Sequence, residues 1–503
     1  MVFTGFLISQ SLLVLAATAN LSHTAAMSPI KSLLSDLGAG LALRWRHFRL
    51  GREGAVGKCQ ERQFRALLHN LAATDFGRSH HLTPTMSWQQ FQGAVAPGNE
   101  ALDPDECTRM ASGLLAATRW PHPGRAFVPS RTATAQSPRF LPVTPDFERH
   151  LQRTWREALL MLSNRETTAA CLRAPIGAFD SGNHLSPGVE SLPVLLQRLS
   201  RSAESPGAPC LAILDEAEHL DQAVRADNPL RWLVPLAPVY KVDLARLARR
   251  FGTGCIIHEV AATPAGIYAV QDRPRATEGL RLLVDAGLFL EFLPLAEYLA
   301  GDISRLGPRT LRLDQLPVDT DAVLFLTGPS GSCRFDTGEV VRLISASPPR
   351  AQRMGRTETV LPLAGEPLTE RVLADALECV CTRQGWDIVH LHVAPHGHAS
   401  LTGQTRGAHE WWIELRPGSR QTPTGQMLAE MIDAELKRLH PGYARQRTAG
   451  RIQEPIVRLV IPGVFDAWRE RAVHEATPAT LPVSLPTRRI ANVLASFTRF
   501  HDA

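Results

Sequence analysis

Small and hydroxyl-bearing side chains are concentrated in residues 128–144, which read VPSRTATAQSPRFLPVT. Prolines interrupt the segment, so it predicts a loop, and a helical pattern that carries Phe147, Leu151 and Trp155 begins at Pro145. A loop that leads into a helix is a common place to hold phosphate, because the first N–H groups of the helix are free to bind an anion. The segment is therefore a candidate anion site.

Two other groups of polar residues could carry chemistry. His390, His392, His396 and His398 lie close together in VHLHVAPHGH, and the first two would share one face of a strand, so a zinc or nickel site is conceivable. No cysteine or carboxylate completes the set, and we interpret it as a solvent-facing strand and turn. The paired carboxylates of residues 215–222 are explained by the acidic first turn of a helix. The sequence contains no GxSxG elbow and no Walker loop, so hydrolase and P-loop functions lack support.

The composition is typical of a cytoplasmic globular protein. A chain of 503 residues, 44% of them hydrophobic, can form two or three domains. The formal net charge of +5 is spread over interleaved acidic and basic side chains, which excludes the concentrated basic surface that nucleic acid requires. Only Lys31, Lys58, Lys241 and Lys437 are lysines. The eight cysteines include no CxxC pair and are expected to be reduced.

The first 26 residues differ from the rest of the chain. Residues 3–17 are apolar, but no Lys or Arg precedes them, and the run is too short and interrupted to span a bilayer. Met27 opens a second plausible start, followed by a basic amphipathic pattern. We expect residues 1–26 to be either a targeting extension or a wrongly assigned start, and we expect no integral membrane span.

Hydrophobic periodicity predicts an α/β protein. An apolar stripe over residues 60–71 predicts a helix, and Ser87 is placed to cap a second one. Residues 175–208, rich in Gly, Ser and Pro, predict a long surface excursion. Short apolar runs then alternate with helical stretches such as residues 243–251. The predicted strands are residues 210–214, 255–260, 266–270, 288–295 and 322–328.

A small α+β module follows. We place the boundary near Gly355, so that residues 27–355 form a large N-terminal domain and residues 356–503 a small C-terminal domain. The predicted helices of the module are residues 370–382 and 425–440, and its predicted strands are residues 386–394, 409–417 and 455–461.

Segments along nearly the whole chain, in order, resemble the GH3 family of acyl-acid amido synthetases, relatives of the luciferase and acyl-CoA synthetase superfamily. They are ATDFGRSHHL, SWQQFQGAVAP, SPRFLPVT, GLFLEFLPL, LTGPSGSCRFDTGEVVRL, the Gly355 and Arg356 pair, LPLAGEPLTERVLADAL, HEWWIEL, HPGYARQR and IPGVFDAW. The resemblance implies an α/β fold: a large N-terminal domain of the adenylate-forming type, with β-sheets flanked by helices, and a small α+β C-terminal domain.

In such enzymes a carboxylic acid attacks the α-phosphate of ATP, and an amino acid amine then displaces AMP. The resemblance therefore implies ATP and Mg²⁺ as cofactors, and a small carboxylic acid and an amine or amino acid as substrates. In the family's phosphate loop Thr132 and Thr134 keep hydroxyls and Arg139 keeps a positive charge. Ala133 and Gln136 stand where the family has glycines, which let backbone N–H groups turn toward phosphate.

Two further positions differ from the family's chemistry. Ala265 stands at the family's magnesium-binding glutamate, or Thr263 or Pro264 if the register slips, although Glu259 lies upstream. Ser484 stands near the family's catalytic lysine, for which neighbouring arginines are the possible substitutes, Arg488 and Arg489.

The third family motif is matched best. Glu339, after Gly338, takes the place of the aspartate that binds ribose hydroxyls, and Arg356 matches a hinge arginine that contacts the nucleotide. The resemblance thus assigns Arg139 and Arg356 as catalytic residues and no metal ligand. Its predicted nucleotide-binding residues are Thr132, Thr134, Arg139, Glu339 and Arg356. The altered motifs predict weak or absent ligase activity, and the alternative is a pseudoenzyme that uses the fold as a binding or scaffold protein.

Overall fold

A computed structural model describes residues 54–98, 101–112, 119–122, 124, 126–130, 139–166, 170–179, 189–200, 210–215, 230–240, 254–274, 278–302, 305, 307–398, 406–418, 423–474 and 481–498. The N-terminal extension, the helix predicted at residues 243–251 and most of the acidic run lie outside these ranges. No helix in the described ranges is long and apolar enough to cross a membrane.

Helices and one β-hairpin begin the large domain. The predicted stripe of the first helix is confirmed, since Phe64, Leu67, Leu68 and Leu71 are all buried, and Ser87 caps a helix as predicted. These elements are α1 (Ala55–Ala72), α2 (Asp75–Ser79), α3 (Trp88–Ala94), α4 (Pro104–Ala111), β1 (Ala126–Pro129), β2 (Phe140–Val143) and α5 (Pro145–Glu166).

A parallel sheet of four strands packs against α5. Its strands pair in chain order: β3 (Ile176–Phe179), β4 (Cys210–Leu214), β5 (Leu230–Pro235) and β6 (Ile256–Ile257), with α6 (Leu192–Ser200) between the first two. The predicted surface excursion at residues 175–208 is wrong where the chain is described. β3 belongs to this sheet, and α6 buries Leu195 and Leu196, because apolar residues interrupt the Gly, Ser and Pro of this stretch.

An antiparallel sheet of eight strands forms the centre of the large domain. The strand predicted at residues 255–260 is divided, because the chain passes from the parallel sheet to this one through His258 and Glu259. The elements are β7 (Val260–Thr263), β8 (Gly266–Val270), β9 (Leu280–Leu282), β10 (Phe289–Pro294), α7 (Leu295–Ala300), β11 (Leu311–Arg312), β12 (Asp321–Thr327), β13 (Phe335–Ala346) and β14 (Pro349–Arg356). The strands lie side by side in the order β11-β10-β12-β13-β14-β9-β8-β7.

The C-terminal module, defined here as the described residues from Glu370 to Thr498, is a three-stranded sheet between two layers of helices. The layer of α8 and α9 also packs on Phe325 and Met354 of the large sheet, and α11 and α12 cover the opposite face. The elements are β15 (Leu361–Leu363) and β16 (Glu366–Leu368), which precede the module, then α8 (Glu370–Gln384), β17 (Ile388–His398), β18 (Arg406–Leu415), α9 (Gly425–Leu439), α10 (Pro441–Thr448), β19 (Ile456–Val460), α11 (Val464–His474) and α12 (Arg489–Thr498).

Candidate functional site

The hairpin of β1 and β2 carries the predicted phosphate loop. The backbone N of Ser130 donates to the carbonyl O of Arg139 at 2.7 Å, which brings the two ends of the connection together. Thr132 and Thr134 lie outside the described residues. Arg139 is half-buried at the start of β2, and its guanidinium has no hydrogen-bonded or ion-paired partner within the described part of the chain. A cation without an internal partner can bind an external anion.

The other end of β2 is tied to residues 328–332. Thr144 is buried, and its Oγ1 donates to the carbonyl O of Pro329 at 2.6 Å. The same oxygen accepts a hydrogen bond from the backbone N of Phe147 at 3.1 Å, so Thr144 caps α5. One threonine therefore sets both the start of α5 and its distance from the loop after β12.

His150 joins α5 to the turn between β7 and β8. Its Nδ1 donates to the carbonyl O of Ala286 at 2.7 Å, and its Nε2 accepts from the backbone N of Ile267 at 3.2 Å. Burial lowers the pKa of His150 to about 4, so the ring is neutral and can fill both roles. Gly266 has a φ of +138° beside this ring. Ala265, the position of the family's magnesium-binding glutamate, presents a fully buried methyl group.

Glu339 is engaged in a buried ion cluster. Its Oε2 lies 2.8 Å from Nη2 of Arg353 and accepts from the hydroxyl of Tyr268 at 3.3 Å. Arg353 also lies 3.6 Å from Oε1 of Glu259 and donates to the carbonyl O of Leu236. Burial alone would lower the pKa of Arg353, but the two carboxylates outweigh it and raise that pKa. The predicted ribose ligand and the carboxylate upstream of the metal position therefore share one arginine.

Of the three predicted nucleotide-binding residues that the structure describes, Glu339 and Arg356 are brought together. Glu339 and Arg356 are partners in the β13–β14 ladder. Arg356 does not bind Glu339; its Nη1 lies 3.0 Å from Oε1 of Glu358, and its backbone N donates to Oγ1 of Thr359. The sequence alone does not show that Arg356 pairs with Glu358, which lies just beyond the end of its strand, and not with Glu339 on the neighbouring strand. Within the described residues, Arg139 is not a hydrogen-bond or ion-pair partner of either member of this pair.

Residues 481–485 connect the module to residues 355–359, which we call the hinge. The Oγ of Ser484 donates to the carbonyl O of Thr359 at 2.6 Å, and the backbone N of Val483 donates to Oε1 of Glu370 at 3.0 Å. Position 484, near the family's catalytic lysine, thus holds a fully buried structural serine.

Neither arginine named as a substitute for the lysine is placed in that role by its contacts. Arg488 binds inside the module, where its Nη2 donates to Oε2 of Glu410 at 2.6 Å and its Nη1 to the carbonyl O of Pro395 at 2.8 Å. Arg489 is the first residue of α12.

Two histidines of β17, His390 and His392, are buried and not solvent-facing as predicted. His392 is fully buried, its Nδ1 donates to the carbonyl O of Pro482, and burial lowers its pKa to about 4. His390 packs against the ring of Phe465. The prediction is wrong because α11 and α12 cover this face of the sheet. Within the described ranges no group of three His, Cys, Asp or Glu side chains is placed to hold a metal ion.

One buried ion pair was missed in the sequence. Arg334 is fully buried, binds both oxygens of Glu291 through Nε, and donates to Val95 O and Gly307 O, which ties β10 and β13 to the N-terminal helices. A lone carboxylate in the otherwise apolar run FLEFLP was the available signal, because a buried charge needs a partner.

Comparisons with known proteins agree with this architecture. The sequence matches the GH3 family N-terminal domain over residues 53–172 and the GH3 family C-terminal domain over residues 379–480. Among solved structures, GH3.15 acyl acid amido synthetase is similar with a TM-score of 0.59 and 14% identity, covering 88% of this chain and 93% of that one. AtGH3.15 acyl acid amido synthetase in complex with 2,4-DB gives a TM-score of 0.61 at 12% identity, covering 94% and 97%. No curated protein matches. At these identities the structural likeness shows the fold alone.

Proposed function

Because this chain belongs to the GH3 family, we propose that it is an ATP-dependent ligase of the adenylate-forming type, with weak activity. Its substrates would be a small carboxylic acid and an amine or amino acid. The observation that carries the proposal is the guanidinium of Arg139, which has no partner among the described residues and lies at the foot of the hairpin whose connection resembles the family's phosphate loop. A cytoplasmic location is supported by the eight cysteines, which all lie in the described ranges and form no disulfide there.

The chain's residues would act mainly by binding and orienting the nucleotide. ATP supplies the adenylyl group that activates the acid. Arg139 would bind phosphate oxygens, the hydroxyls of Thr132 and Thr134 would add hydrogen bonds, and Arg356 would contact the nucleotide from the hinge. The residues do not fit a protein-held Mg²⁺, because Ala265 has only a methyl group and the nearby carboxylate, Glu259, faces Arg353. We therefore assign no step to Mg²⁺ and expect slow turnover.

The second candidate is a pseudoenzyme that binds an acyl ligand or a partner. Two observations favour it. The carboxylate of Glu339 is already ion-paired with Arg353, and the hydroxyl of Ser484 already donates a hydrogen bond to the carbonyl O of Thr359. A nucleotide ribose would have to compete with an internal ion pair for Glu339.

Calorimetry of ATP binding to the full chain is the first of two measurements that together distinguish the candidates. The ligase proposal expects binding that Arg139→Ala weakens roughly tenfold, since a charge-assisted hydrogen bond contributes about 1.5 kcal/mol or more. Arg149→Ala is the matched control, because that arginine is exposed on α5 and binds Asp146 and the carbonyl O of Pro145 within its own helix.

Acid-dependent exchange of pyrophosphate into ATP is the second measurement. Binding together with exchange supports the ligase. Binding without exchange for any acid in a broad panel, or no heat at millimolar ATP from a folded sample, supports the pseudoenzyme.

A further inference from the structure

Glu370, the first residue of α8, touches three parts of the molecule. Its Oε2 accepts a hydrogen bond from the hydroxyl of Tyr240, in the large domain, at 2.9 Å. Its Oε1 accepts from the backbone N of Val483 at 3.0 Å. The carboxylate also lies on Gly355, where a Cβ would come within 3.0 Å of Oε2 and where φ is +130°. Glycine is required at this hinge position for both reasons.

The next residue strengthens the same junction. Arg371 donates through Nε to the carbonyl O of Arg353 at 3.0 Å and through Nη2 to the carbonyl O of Val239 at 3.1 Å. Its guanidinium lies 5.0 Å from the centre of the Tyr240 ring. The first turn of α8 is therefore bonded to the end of the parallel sheet and to β14, rather than only to its own module.

We propose that Glu370 is a positioning residue that fixes the orientation of the C-terminal module on the large domain, by joining Tyr240, Gly355 and Val483. The inference rests on the proposed function only where it concerns Arg356, the predicted nucleotide contact at the hinge. Its test needs no nucleotide, so either idea can fail without the other.

We expect the contacts of Glu370 to depend on pH, because its docked carboxyl is buried. Burial raises the pKa of Glu370 to about 7, against the hydrogen bonds from Tyr240 and Val483 and the charge of Arg356. The charged and titratable groups around it are Tyr240 from the large domain, Arg356 at the hinge and Arg371 on its own helix, whereas residues 481–485 contain no charged side chain.

The direction of the pH effect on docking depends on whether the docked or the undocked state binds the proton of Glu370 more tightly. A module that leaves the large domain returns the carboxyl to water and to its ordinary pKa of 4.5, so the docked state holds the proton more tightly. Docking is therefore strongest at low pH and weakens as pH rises from 4.5 to about 7. From pH 6 to pH 8 the docking constant falls about tenfold.

Hydrogen exchange measured by mass spectrometry at pH 6 and pH 8, corrected for intrinsic exchange, tests the proposal on the full chain. In peptides that cover residues 236–240 and 481–485, we expect protection to fall up to about tenfold at the higher pH. Glu370→Gln cannot titrate and should abolish that difference. Tyr240→Phe should lower protection at both pH values. Glu378→Gln is the control and should behave as the wild type, because Glu378 lies on the same helix and its carboxylate is hydrogen-bonded, among the described residues, by Thr382 rather than by the large domain.

Two results would overturn the proposal. One is a folded Glu370→Gln protein that keeps the pH difference of the wild type; the other is a wild type without such a difference. Should Glu370→Gln not fold, unchanged protection in Tyr240→Phe would overturn it. Absence of ATP binding alongside the expected exchange results would count against the ligase proposal alone.

Discussion

Arg353 balances the charge in the region between the parallel and antiparallel sheets. Glu339 and Glu259 both depend on it, and all three side chains are at most 3% exposed. Removal of the buried cation leaves two negatively charged carboxylates without a positive partner. The resulting loss of folding stability is much larger than that from breaking an exposed ion pair. Because Glu339 is buried and paired with Arg353, its role in the structure is to balance this charge, and binding a nucleotide would require it to leave that pair.

We predict that Arg353→Met lowers the free energy of unfolding by about 3–5 kcal/mol, because two buried carboxylates lose their shared cation. Urea denaturation monitored by tryptophan fluorescence measures the loss. Arg312→Met is the control, since this arginine is 26% exposed and pairs with Glu61 and Asp314; it should cost about 1 kcal/mol or less. Equal losses in the two variants would contradict the importance of burial.

At the scale of elements, α5 and the β7–β8 turn are held together by one imidazole and one glycine. His150 binds the backbone N of Ile267 in β8 and the carbonyl O of Ala286 in the segment before β10, and Gly266 allows the ring to approach the backbone. The candidate site thus depends on a helix that starts at Thr144 and on strands more than a hundred residues later.

Gly266→Ala should destabilise the protein by roughly 1–3 kcal/mol, since φ is +138° and the new Cβ would lie 2.6 Å from Nε2 of His150. Gly93→Ala, inside α3 with no atom within 4 Å of the new methyl group, should instead stabilise it by about 0.5–1 kcal/mol. Thermal unfolding of both variants checks the opposite signs. A neutral Gly266→Ala would show that the ring moves away at little cost.

At the scale of the whole molecule, both domains bury neutral histidines. Burial lowers the pKa of His150, His392 and His409 to about 4 and that of His258 to about 3. The ordinary value is 6.5, so the unfolded chain takes up protons first. Stability is therefore lost as pH falls from 6.5 toward 4, in the large domain and in the module alike.

We predict that His150→Gln reduces the loss of stability between pH 7 and pH 5 by about 2 kcal/mol, because the unfolded wild type gains a proton there that the folded ring refuses. Glutamine can still donate to Ala286 and accept from Ile267. Urea denaturation at the two pH values provides the comparison, with exposed His69→Gln as the control that keeps the wild-type slope. An unchanged slope in His150→Gln would show that His150 does not titrate differently on folding.

The sequence by itself determined the fold class, the family and most elements. The strands at residues 210–214 and 266–270 are confirmed residue for residue, and the stripe on α1 and the cap at Ser87 are confirmed as well. These features are local, since periodicity and capping depend on residues a few positions apart. The replacement of the family's magnesium-binding glutamate by Ala265 is also visible in the sequence itself.

Only the tertiary structure decided which partner each polar group has. Glu339 binds an arginine from the next strand, Ser484 binds the hinge, and His392 lies beneath helices that follow it by more than seventy residues. Hydrogen-bond partners and burial depend on segments distant in sequence, and burial sets both the pKa of a side chain and whether it can reach a ligand. No local pattern contains that information.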